Sequence, residues 1–128
     1  MSYSHEKLER VATELRGLAP RDILNRLDRH ESETARIART TDSIQVIKQI
    51  LDETASDQTK IVAYRRWMEL ASNAAAQNAL AELEQKVEAA CARSRSVTTV
   101  TDAAIAYWDA PEGTEAEAIA LERALELA

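Results

Sequence analysis

The stretch of residues 56–93 most constrains what this chain can fold into, because neither proline nor glycine interrupts it. It is rich in strong helix formers, including the alanine run at 74–76. Ser56, followed by the acidic Asp57, is a typical helix N-cap. A continuous helix here would be roughly 55 Å long, whereas a compact chain of this length has a radius of gyration of about 14 Å. The sequence therefore predicts one long central helix in an elongated bundle.

The apolar face of this stretch changes direction near its middle. Tyr64 and Trp67 lie on one side, but past Gln77 the apolar residues occupy the opposite side: Leu80, Leu83, Val87 and Cys91. This shift exceeds the roughly 20° per heptad of ordinary helical drift. Either the helix breaks between residues 72 and 78, or its two halves pack against different neighbours. The alanine run favours continuity, so we expect the second arrangement.

The second apolar face, formed by Leu80, Leu83, Val87 and Cys91, needs a cover of its own. The short helices that follow it offer modest apolar area. A two-fold partner is the commonest way to bury such a stripe, so we expect self-association through these residues, as a homodimer with coiled-coil-like packing.

Composition places the rest of the chain in the same class. Two glycines, two prolines and no phenylalanine among 128 residues predict an all-α protein with few tight turns. At this length we expect a single domain over residues 1–128, with about five shorter helices around the long one.

Local signals divide the chain outside the long stretch. Ser4 is a candidate cap for a first helix, which Gly17 ends, and Pro20 begins the second. The second helix carries a heptad seam with polar layers, and the weak helix formers at 40–43 predict its end. One continuous helix over residues 20–54 is the alternative. Further on, the pattern predicts four features: a short helix capped by Thr99 or Thr101, a turn at 110–113, a capping box of Thr114 with Glu117, and a last helix.

The net charge of −6 is unevenly distributed. Residues 1–66 hold 12 Lys or Arg against 11 Asp or Glu, whereas residues 67–128 hold 4 against 11. The second half is therefore acidic, which favours solubility and disfavours nucleic acid there. No apolar run is long enough for a membrane span, and the single cysteine allows no internal disulfide. We expect a soluble cytoplasmic protein that does not associate with membranes.

The sequence offers little for catalysis or metal binding. With only Gly17 and Gly113, it contains no phosphate-binding loop, dinucleotide fingerprint or nucleophile elbow. Neither His5 nor His30 has the glutamate three residues earlier that a di-iron bundle requires. We therefore expect no metal or cofactor and no enzyme activity, and a cofactor-binding or catalytic bundle is the third alternative.

Nucleic-acid binding is the runner-up, because four arginines share one face of the predicted second helix: Arg21, Arg29, Arg36 and Arg39. Residues 8–29 also loosely suggest a helix-turn-helix with Gly17 in its turn. However, Asp22, Asp28 and Glu33 flank the stripe and can neutralise it in part. A salt-linked solvent face is the preferred interpretation.

The adjacent aromatic residues Tyr107 and Trp108 point about 100° apart on a helix. At least one of them can therefore stay exposed as an anchor for a partner, although core packing is the ordinary role of such residues. These observations together favour a small protein-interaction module, acting as a regulator, inhibitor or assembly component.

Overall fold

The computed structural model describes residues 3–28 and 30–128. Over these residues the chain forms eight α-helices and no strand, which confirms the predicted all-α class. In chain order the helices are α1 (His5–Leu15), α2 (Pro20–Leu27), α3 (Glu33–Thr40), α4 (Ile44–Glu53), α5 (Asp57–Leu70), α6 (Ala74–Ser96), α7 (Val100–Asp109) and α8 (Glu115–Leu127).

Most helices begin where a short polar side chain can satisfy a free backbone N–H group. The Ser4 hydroxyl accepts from Lys7 N at 3.3 Å, and the Ser56 hydroxyl accepts from Thr59 N at 3.2 Å. Ser32, Ser43 and Thr99 cap α3, α4 and α7 in the same way. Pro20 is the first residue of α2, where its missing N–H costs nothing. The predicted starts at Ser4, Pro20, Ser56 and Thr99 are thus confirmed.

The prediction of one continuous helix over residues 56–93 is wrong. Helix α5 ends at Leu70 and α6 begins at Ala74, within the region where the apolar face changes direction. Ala71 is extended, and the side-chain oxygen of Asn73 accepts from Ala76 N at 3.0 Å, so Asn73 starts a new helix. Helix α6 is the longest of the described helices, at 23 residues or about 35 Å.

The predicted second helix is also interrupted. Helix α3 ends at Thr40 and Ser43 caps α4, which confirms the boundary at 40–43 and excludes a continuous helix over residues 20–54. However, α2 already ends at Leu27, and His30 is exposed outside any helix. The heptad seam through His30 therefore does not form.

The described residues fall into two compact units. Unit 1 contains the described part of Met1–Arg29 together with Glu88–Ala110 and Glu115–Ala128. Its core joins α1, α2, α7 and α8, and α7 packs most extensively against α8. The large side chains at its centre are fully buried: Val11, Leu15, Ile23, Leu121 and Leu125. That the whole chain is one domain stays a prediction.

Unit 2 contains His30–Val87 and Pro111–Thr114. Its core joins α3, α4 and α5 through Ala38, Ile47, Ile50 and Ala63. The loop of residues 111–114 lies against the start of α5, where Gln58 N donates to Glu112 O at 3.2 Å. Gly113 there has a φ of +76°, and a Cβ atom on it would meet the Ser56 hydroxyl at 3.0 Å. Glycine thus fits both the backbone conformation and the close approach at this turn.

Candidate functional site

The outer face of α7 carries the most exposed large apolar side chain of the described residues. Trp108 is 55% exposed and Ile105, one helical turn before it, is 46% exposed. Thr101, Asp102 and Asp109 complete this face, whereas the opposite side of α7 is buried in the core of unit 1. We call these five residues the α7 outer face.

Tyr107 supports the Trp108 ring from the buried side of α7. Its side chain is 3% exposed, and its ring meets that of Trp108 edge to face, with centroids 5.1 Å apart at 74°. The Arg26 guanidinium donates to the Tyr107 hydroxyl and lies 5.8 Å from the centroid of the Tyr107 ring. Arg26 also lies 3.8 Å from a carboxylate oxygen of Glu117. Of the two predicted partner contacts, Tyr107 is therefore a buried support and Trp108 is the accessible residue.

Burial raises the pKa of Tyr107 above its ordinary value, because the phenolate is poorly solvated in the core. Arg26 opposes the rise, and Glu117 adds to it. In the unfolded chain Tyr107 ionises near pH 10, so the folded state keeps its proton to a higher pH. Its contribution to stability is complete below about pH 10 and is lost as the pH rises through the folded-state pKa.

We therefore expect the free energy of unfolding of the wild type to fall more steeply above about pH 10 than that of Tyr107→Phe, which has no proton to lose. Urea denaturation of both proteins at a series of pH values between neutral and strongly alkaline measures the two slopes. Parallel curves would show that ionisation of Tyr107 is not coupled to folding.

Carboxylates lie on both flanks of the α7 outer face. Asp102 and Asp109 are on one flank of Ile105, and on the other flank Thr101 donates to the Glu14 carboxylate at 3.2 Å. The Arg93 guanidinium pairs with Asp109 at 2.9 Å, and both side chains remain half-exposed. Within the described part of the chain, neither Asp102 nor Glu14 forms an ion pair. The face therefore combines two apolar side chains with a net acidic rim.

The predicted self-association residues are covered to different degrees. Cys91 is buried, whereas Leu80, Leu83 and Val87 are half-buried. Two ion pairs connect the middle of α6 with α5: Arg65 lies 3.4 Å from Glu84, and Lys86 lies 3.7 Å from Asp57. Dimerisation through these residues stays a prediction.

The four arginines of the predicted nucleic-acid face do not share one helix. Arg21 is on α2, Arg36 and Arg39 are on α3, and Arg29 lies outside the described residues. The Arg39 guanidinium makes two hydrogen bonds to Glu31, at 2.8 and 3.1 Å, and Arg36 pairs with Glu33. The Arg39 partner lowers the pKa of Glu31, so this exposed carboxylate stays ionised beside it. Two of the candidate cations are thus already paired with anions of their own unit.

Other kinds of site have little support in the described residues. His5 lies 2.8 Å from Glu9 on the exposed side of α1. Among all described residues, however, no group of three or more His, Cys, Asp or Glu is placed to hold a metal ion. No helix of the described chain is both long and apolar enough to cross a bilayer. The α7 outer face is therefore the strongest candidate site among the described residues.

The exposure of one residue of the Tyr107–Trp108 pair was predicted from the sequence, whereas Ile105 and the acidic rim were not. The signal for Ile105 was present, because a helix capped at Thr99 places residues 105 and 108 one turn apart. Glu14 could not be found in this way, since only the packing of α1 against α7 brings it to Thr101.

Comparisons of this chain with models of protein families, with curated proteins and with solved structures find no match.

Proposed function

We propose that this chain is a protein-interaction module that binds another protein through the α7 outer face and acts by binding rather than by catalysis. The observation that carries the proposal is the exposure of Trp108 and Ile105 side by side on a helix whose other side is buried. Tryptophan is among the residues most enriched at the energetic centres of protein interfaces. A regulator, an inhibitor or an assembly component would use such a face.

The support beneath Trp108 strengthens the proposal. A side chain that is already held in place loses little conformational entropy when a partner covers it, so more of the contact energy remains as affinity. Trp108 stacks edge to face on Tyr107, and Arg26 fixes Tyr107 from the other side. The tryptophan ring is thus presented by a buried cluster rather than by a free side chain.

Site-specific photo-crosslinking tests the proposal. Benzoylphenylalanine in place of Ile105 should crosslink a protein in extracts of the native source, before and after nuclease treatment. The same group in place of Ala81, which is exposed on α6, is the matched control and should not give that product. Equal products from both positions, or loss of the product after nuclease treatment, would contradict the proposal.

Affinity for the crosslinked partner should then depend on the tryptophan ring. We expect Trp108→Ala to weaken binding about 30-fold, corresponding to a hot spot of about 2 kcal/mol. Leu24→Ala removes a 41%-exposed apolar side chain from α2 and should leave binding nearly unchanged. Circular dichroism of both variants checks that the helices persist.

A further inference from the structure

We infer that the α7 outer face takes a basic amphipathic segment of its partner, with two apolar side chains one helical turn apart and Lys or Arg beside them. The inference rests on the proposed function and adds the chemistry of the occupant. Ile105 and Trp108 are themselves one turn apart, so they fit apolar side chains repeated at the same spacing on a facing helix.

The charged groups around Ile105 and Trp108 determine whether a basic or an acidic segment binds more tightly. Three carboxylates lie at the face, and Arg93 compensates one of them, so these four groups together carry a charge of −2. Asp102 and Glu14 lie on opposite flanks of the apolar pair, so cations on both sides of a docked segment would find a counter-ion. An acidic segment would instead bring like charges together around an apolar contact that excludes water, which costs affinity.

The Arg93–Asp109 pair does not close the face. The two side chains are 53% and 56% exposed, so water and a partner's cation can reach Asp109. Exposed ion pairs of this kind are weak. A Lys or Arg of the partner can therefore replace Arg93 as the counter-ion of Asp109 at little cost in free energy. The pair marks the end of the face nearest Trp108, because Asp109 follows the tryptophan directly.

Two synthetic helical peptides of one apolar pattern test the inference. One carries Lys at its polar positions and the other carries Glu, and neither contains tryptophan. Binding is measured by the anisotropy of a dye on the peptide, with full-length protein. We expect the Lys peptide to bind roughly tenfold tighter than the Glu peptide, and the difference to shrink with added salt. In a Trp67→Phe background, the emission of Trp108 should shift to the blue as the Lys peptide covers it.

Variants on and off the face separate specific docking from general attraction to an acidic protein. The double variant Glu14→Gln, Asp102→Asn should bind the Lys peptide roughly fivefold more weakly, because each exposed carboxylate contributes modestly to the affinity. The matched control, Glu82→Gln with Glu88→Gln, removes two exposed carboxylates from α6 and should leave the affinity nearly unchanged. Trp108→Ala should lower the affinity for the Lys peptide more than either double variant does.

Several results would overturn the inference. Equal affinities for the two peptides, no binding of either, or equal losses from both double variants would each do so. A protein dimer in sedimentation equilibrium that Trp108→Ala dissociates would identify a second copy of this chain as the occupant instead. If Ile105 still crosslinks a partner in those cases, only the chemistry of the occupant is wrong. If Ile105 crosslinks nothing, the proposed function fails as well.

Discussion

Leu121→Ala should lower the free energy of unfolding by about 2–5 kcal/mol. Leu121 is fully buried near the middle of α8, where α1, α2 and α7 surround the core of unit 1. Truncation removes apolar surface that folding had taken out of water and leaves a cavity that close-packed helices fill only in part. A loss of this size is a large share of the stability of a typical small domain.

Urea denaturation followed by circular dichroism measures this loss, and the fluorescence of Trp108 in a Trp67→Phe background reports on unit 1 itself. Leu24→Ala is the matched control, because it makes the same truncation on a helix surface and should cost less than about 1 kcal/mol. A Leu121→Ala protein as stable as the control would mean that α8 does not pack as described.

Helix starts were predictable because their physical causes are local. Ser4, Ser56 and Thr99 each cap a backbone N–H three residues ahead, and such a contact depends on a few adjacent residues only. The turn at residues 110–113 was equally predictable from Pro111 and Gly113, which lie two residues apart. Caps and turns of this kind depend little on how the rest of the chain packs.

The break at residues 71–73 was not predicted from helix propensity, although Asn73 is a local capping signal for the start of α6. The alanines at 74–76 favour a helix, but they do not decide whether it continues α5 or starts anew. After the turn, two ion pairs connect α5 with α6, one between Arg65 and Glu84 and one between Lys86 and Asp57. The change in the direction of the apolar face was the better signal, because a helix whose apolar side moves needs a second set of neighbours.

The candidate site was likewise predictable only in part from the sequence. The 100° between Tyr107 and Trp108 implied that they face different surroundings, but it did not tell which of them is buried. The answer depends on Arg26 of α2 and Glu117 of α8, which surround the Tyr107 hydroxyl from distant parts of the sequence. Contacts between residues so far apart cannot be read from the spacing along one helix.

Alanines were the core residues that the sequence pattern most undervalued, and unit 2 shows why. Its core is built around Ala38 of α3 and Ala63 of α5, both fully buried, whereas the larger Tyr64, Trp67 and Met68 are only half-buried. An apolar stripe drawn through the large residues thus misplaces the contact. Small side chains at such positions let two helices approach closely, so the spacing of α3 and α5 depends on them.

Ala63→Leu should therefore destabilise unit 2 by about 3 kcal/mol, at the upper end of the cost of overpacking a core. The added carbons would crowd Ala38, Ile47 and Ile50, which belong to the same buried cluster. The fluorescence of Trp67, at the edge of that cluster, reports the unfolding in a Trp108→Phe background. Ala81→Leu makes the same substitution at an exposed position of α6 and should change stability by no more than about 0.5 kcal/mol. A tolerated leucine at 63 would show that the close approach of α3 and α5 does not depend on alanine, and that unit 2 has room to repack.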